Sequence, residues 1–88
     1  MTVTGVEMSF TAPDTTPAGS YTATFRNDGT VFHELAFKDP SGKIVARIST
    51  GPKTTATLAV KLSRGTYDLE CHEPGHFEGG MHRTLTVT

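Results

Sequence analysis

Apolar residues in this chain recur at every second position, and no segment places them convincingly at every third or fourth. That spacing suits extended strands with one buried face and argues against amphipathic helices. Thr54 to Leu62 is the plainest case, aligning Ala56, Leu58, Val60 and Leu62. Ser20 to Arg26 aligns Tyr21, Ala23 and Phe25, and Lys43 to Ser49 aligns Ile44, Ala46 and Ile48. Val3 to Thr11 reads as one strand with Val6, Met8 and Phe10 together, followed by a loop from Ala12 to Pro17. Thr30 to Lys38 puts Val31, His33, Leu35 and Phe37 in phase, Thr66 to Cys71 does so for Tyr67, Leu69 and Cys71, and Arg83 to Thr88 for Leu85 and Val87. Turn signals separate these runs at Asn27-Asp28-Gly29, Asp39-Pro40-Ser41-Gly42, Gly51-Pro52 and Ser63-Arg64-Gly65. The pattern predicts an all-β fold of seven to eight strands, built as a Greek-key β-sandwich of two sheets.

With 88 residues, the chain is expected to be a single domain spanning 1–88, near the lower size limit at which a core stabilises itself unaided. Eight basic residues stand against nine acidic ones, so no broad field attracts nucleic acid or an anionic membrane surface. No apolar run approaches the roughly 18 residues of a transmembrane helix. The start Met1-Thr2-Val3-Thr4 has neither a basic nor an apolar signal region, which reads as a mature or recombinant form. One cysteine rules out an internal disulfide and leaves a thiol that must be buried, liganded or reactive.

Strand phase makes that cysteine informative. Cys71 points inward at the end of its strand, and His33 points inward from another, so two ligand-type side chains enter one core and need a common partner. Between Cys71 and Met81 the chain holds a thiol, two imidazoles, a thioether, three glycines and a proline. Glycine and proline favour a tight, preset loop. His76 and Met81 follow Cys71 as Cys-x4-His-x4-Met, a spacing that lets the loop fold back over one point. Two imidazoles and a thiolate with a weak thioether form a donor set suited to copper in both its oxidation states.

At these residues the chain resembles the cupredoxin family, the type 1 blue copper proteins that include plastocyanin, azurin, auracyanin and rusticyanin. Asn27-x-Gly29-x3-His33-Glu34-Leu35 is similar to the family's first ligand segment. Gly65-x-Tyr67-x3-Cys71-x4-His76-x3-Gly80-Met81, followed by Leu85-Thr86-Val87, is similar to its second. The resemblance implies one copper ion, with His33, Cys71 and His76 as equatorial ligands and Met81 as the axial one. It further implies a monomeric, non-enzymatic electron carrier, periplasmic or extracellular, that meets redox proteins such as a cytochrome or a copper enzyme transiently. His76 would be the exit for the electron, within a patch lined by Phe32, Pro74, Gly75 and Phe77 and the backbone near Gly29. Glu34 stands where many relatives have asparagine or serine, and Arg83 where many have glycine; neither change removes a ligand.

Taken singly, His33 reads as a core histidine, Cys71 as an inert buried thiol and Met81 as packing; their joint spacing and phase favour the metal. Zinc could use the same histidines and cysteine, but a structural zinc site wants a fourth strong ligand. Cys71-His72-x3-His76-x4-Met81 also resembles the terminal motif of multicopper oxidases, which raises the alternative of a domain from a larger or oligomeric copper oxidase or reductase. With four histidines and no His-x-His pair, one such chain cannot assemble a trinuclear cluster. His72 and His82 read as surface residues. A nucleophilic Cys-His pair would need an exposed thiolate and a substrate cleft, and copper storage would need clustered methionines; the chain shows the signature of neither. Asp68, Glu70, Glu73 and Glu78 suggest an acidic face that steers a basic partner.

Overall fold

In a computed structural model describing all residues from Met1 to Thr88, the chain forms nine strands in two sheets and no helix. They are β1 (Thr2–Val6), β2 (Ser9–Thr11), β3 (Thr15–Thr16), β4 (Gly19–Asn27), β5 (His33–Lys38), β6 (Ile44–Thr50), β7 (Thr54–Leu62), β8 (Gly65–Glu70) and β9 (His82–Val87). One sheet has the order β2-β1-β4-β7 and the other β3-β9-β8-β5-β6. β4 and β7 lie side by side and antiparallel, although the β5–β6 hairpin, which belongs to the opposite sheet, separates them in sequence. That excursion is a Greek-key connection.

The alternation in β4 and β7 is realised as one long ladder, from Gly19↔Leu62 to Asn27↔Thr54. Their inward side chains meet those of β5, β8 and β9 in one core, where Phe25, Leu35, Phe37, Leu69 and Leu85 have no exposed surface. Phe10 meets the Phe25 ring edge-on, with centroids 6.2 Å apart. Truncating Phe25 or Phe37 to alanine would remove about 3–5 kcal/mol, a large share of the stability of so small a domain.

The N-terminal segment departs from the expected single strand. The segment from Val3 to Thr11 is two strands, because the chain reverses at Glu7-Met8 and pairs Gly5 with Phe10. The reversal breaks the phase, so Val3 and Gly5 face the core and Val6 is exposed. Within the expected loop, Thr15–Thr16 pair in parallel with β9. Val31 is also outside the core, at 43 % exposure, since β5 begins only at His33.

A candidate metal centre at one end of the sandwich

Antiparallel pairing brings the ends of three strands to one place. His33 opens β5, Cys71 directly follows β8, and Met81 directly precedes β9. The β8–β9 register ends at Glu70↔His82, and one further rung sets Cys71 opposite Met81, whose carbonyl accepts the Cys71 N–H at 3.1 Å. His76 lies within the loop between them, and its carbonyl accepts the Met81 N–H at 3.0 Å. The backbone therefore ties Met81 to both Cys71 and His76.

The loop is closed by its own main chain. His76 N–H donates to Glu73, Gly79 to Gly75, and Gly80 to Phe77, all at 2.9 to 3.0 Å. Gly80 has φ +117° and its α-carbon abuts the Met8 carbonyl, where a β-carbon would sit 3.2 Å from that oxygen. This position requires glycine on both counts. Phe77 stacks on His82, with centroids 4.7 Å apart and planes at 28°, so His82 is exposed as expected but clasps the loop's flank.

His33, Cys71 and His76 converge in the interior. Their donor atoms lie within 4.8 Å of one another, with the two Nδ1 atoms 3.1 Å apart and Cys71 Sγ 3.4 Å from His76 Nδ1. His33, Cys71 and Met81 are fully buried, whereas His76 keeps 9 % of its surface exposed. A cation bound at about 2.0–2.1 Å by imidazole and 2.3 Å by thiolate can bridge nitrogens up to about 4 Å apart and a nitrogen and sulfur up to about 4.4 Å. The His33–His76 and Cys71–His76 spacings, 3.1 and 3.4 Å, fall within that reach. Burial pushes the Cys71 thiol above its ordinary value, although the Glu34 and Glu73 amides pull the other way. A cation here would displace that proton.

Three acidic residues surround these donors, and the sequence reading treated them unevenly. Glu7 was missed. Its carboxylate accepts from His33 Nε2 at 2.6 Å and from the amide and hydroxyl of Thr30 at 3.0 and 2.8 Å. These donors, His33 foremost, hold its carboxyl down at about 2, against an ordinary 4.5. An ionised carboxylate has only acceptors to offer, so a neutral His33 ring carries its proton on Nε2 and leaves Nδ1, the atom facing His76, with a free lone pair. A carboxylate behind an inward-facing histidine has a weak signature in sequence, and Glu7 lies 26 residues from its partner.

Glu34, the departure from the family pattern, holds the site by a different route. Its backbone N–H, independent of side-chain identity, donates to Cys71 Sγ at 3.2 Å. Its carboxylate accepts the His72 N–H at 3.2 Å and pairs with Arg47 at 3.1 Å and the His72 ring at 3.1 Å. His72 is one-third exposed, and both its ring nitrogens have partners, Nδ1 with Glu34 and Arg47 at 3.1 and 3.2 Å and Nε2 with Glu70 at 2.7 Å. Glu70 itself is not an outward acid: it is 3 % exposed and also pairs with Lys38 at 3.1 Å. Burial alone would raise Glu70, but His72 and Lys38 outweigh it and leave the carboxyl below its ordinary value. Arg83, the second departure, reaches away to Asp14 at 2.6 Å. An open depression of about 410 Å³ adjoins the loop, with Lys38, Glu70, His72, Glu73, Phe77 and Glu78 among its walls.

The sequence matches no family model and no curated protein. The fold matches solved structures along its whole length. A reduced auracyanin from the photosynthetic bacterium Roseiflexus castenholzii superposes with TM-score 0.83 at 23% identity, over 99% of this chain and 94% of that one. Auracyanin A, a blue copper protein from Chloroflexus aurantiacus, gives 0.78 at 21%, over 100% and 97%. Reduced rusticyanin gives 0.76 at 24%, over 99% and 78%. What these chains share with this one is the cupredoxin β-sandwich.

Proposed function

We propose that this domain binds one copper ion through His33, Cys71, His76 and Met81 and carries single electrons between transient redox partners. The supporting observation is the convergence, inside a cupredoxin fold, of two imidazole nitrogens and one thiol sulfur, with a buried thioether residue tied by backbone to two of them. Copper in such a donor set supplies a one-electron couple between Cu(II) and Cu(I). The chain's own contribution is rigidity and dryness. His33 is held from behind by Glu7, Cys71 by the Glu34 amide, and His76 by a loop closed by its own main-chain hydrogen bonds. Little then has to move when the charge changes. Cys71 and Met81 belong to the same apolar core as the fully buried Leu35 and Phe37, which excludes water from that side of the donors.

His76 is the exit point for the electron, since it alone of the four keeps exposed surface, between the exposed Gly75 and Phe77. Glu73 and Glu78 on the neighbouring depression offer contacts to cationic side chains of a partner, such as a cytochrome or a copper enzyme. An electron carrier needs no substrate cleft, and the fully buried Cys71 is poorly placed to attack one. A monomer exported to the periplasm or beyond agrees with this reading.

Adding Cu(II) to metal-free protein tests it directly. One equivalent should produce an intense blue or green colour that Cys71→Ser abolishes. A colourless complex, or a colour unaffected by Cys71→Ser, would refute the proposal.

A further inference from the structure

We infer that Glu7 is a positioning residue for the metal centre: through its hydrogen bond to His33 it fixes the ring's tautomer and lowers the reduction potential of the bound ion. This inference rests on the proposed copper site and adds to it a residue outside the ligand segments.

The geometry comes from three separate parts of the chain. The tight turn between β1 and β2 presents Glu7 to the loop that precedes β5, and there the carboxylate meets His33 Nε2 at 2.6 Å and Thr30 twice. Three donors thus meet the carboxylate, the Thr30 amide and hydroxyl on one side and a buried ring on the other. Gly29 keeps the space open. A β-carbon there would collide with Glu7 Oε1 and lie 2.6 Å from His33 Nε2, so the approach of carboxylate to imidazole depends on the absence of a side chain at residue 29. The same turn touches the other ligand segment, because Met8 packs against Gly79 and Gly80. Glu7 is therefore anchored with respect to both halves of the site.

The electrostatic consequence has a definite sign. An anionic acceptor on Nε2–H shifts electron density toward Nδ1 and makes it a stronger donor. It also places a negative charge one ring away from the ion. Both effects favour the doubly charged ion over the singly charged one. The oxidised form is stabilised more than the reduced form, and the potential falls. A contact that served folding alone would show in the stability of Glu7→Gln and leave this balance unchanged.

Two variants and two readouts test the inference. Glu7→Gln retains an acceptor without the charge, and Glu7→Ala removes both. In metal-free wild-type protein, nitrogen-15 NMR of the His33 ring should report the Nε2–H tautomer alone. Glu7→Ala should yield a mixture. In copper-loaded Glu7→Gln the preference for Cu(II) over Cu(I) should fall about tenfold, within the range typical of outer-shell partners, which equals about 59 mV upward for one electron. An unchanged potential in a coloured Glu7→Gln protein, or a mixed tautomer in the wild type, would overturn the inference. Were the wild type to take up no coloured copper, the proposed function would fall instead, and the metal-free tautomer would still decide the role of Glu7.

Discussion

Two loops deliver the imidazoles to this site, and they are held by opposite means. The loop from His72 to Gly80 is closed by main-chain hydrogen bonds and bracketed by a rung of the β8–β9 ladder. The loop from Asp28 to Phe32 has one main-chain bond, from Asp28 N–H to the Gly5 carbonyl at 2.9 Å, and is otherwise held by side chains. Asn27, fully buried, donates to the carbonyls of Val31 and Thr50 and accepts from Gly29 N–H, while Glu7 takes Thr30 and His33. A backbone-closed loop tolerates substitution of most of its side chains. A loop held mainly by side chains leans most on particular residues, here Asn27 and Glu7, the second far away in sequence.

The contrast predicts unequal mutational costs. Asn27→Ala removes three hydrogen bonds from a buried position, and at about 1 kcal/mol each the net loss is about 3 kcal/mol. Chemical denaturation should record that loss as a lower midpoint, and copper uptake should weaken because His33 is no longer aimed. An unfolding free energy within about 0.5 kcal/mol of wild type, a margin typical of neutral surface changes, would mean the first loop has other support. Phe77→Ala tests the second loop. It forfeits the stacking on His82, about 1 kcal/mol, and the coloured site should survive with its spectrum intact. If Phe77→Ala cost as much as Asn27→Ala, the distinction between the loops would be lost.

The same contrast explains what could be read from sequence. Cys71, His76 and Met81 were legible because spacing along one hairpin loop determines what a main-chain-closed structure can bring together. His33 was legible through strand phase, although Val31, two residues earlier, was not: phase holds only while the chain remains a strand. Glu7 was illegible for a related reason. An apparently continuous alternation from Val3 to Phe10 concealed the reversal at Glu7-Met8, and with it the exposed Val6 and the carboxylate behind His33. Glu70 followed the outward phase of its strand, yet Lys38 and His72 cover it. Phase assigns a face of the sheet; it does not say what neighbours place over that face.

A third turn, at the far end of β5 from His33, separates side-chain support as such from support of the site. Asp39 Oδ1 accepts from the amides of Ser41 and Lys43 and from the Ser41 hydroxyl, at 2.7 to 2.9 Å. The Ser41 hydroxyl, with the Lys43 and Ser41 amides, holds the Asp39 carboxyl below its ordinary 3.8. A carboxyl lowered by folding contributes stability that is present above its unfolded value and is lost as the pH falls through the folded one. Amide exchange at Ser41 and Lys43, corrected for intrinsic rates, should therefore accelerate as the pH drops below 3.8, and Asp39→Asn should show a weaker pH dependence. Because the group is solvent-exposed, global stability should change little. The loops around His33 and His76 should keep their own protection when Asp39→Asn is compared with wild type at neutral pH. Accelerated exchange at Thr30 or Met81 in that variant would show that the two ends of the sandwich are coupled, and that the first loop's dependence on Asn27 and Glu7 is only part of its support.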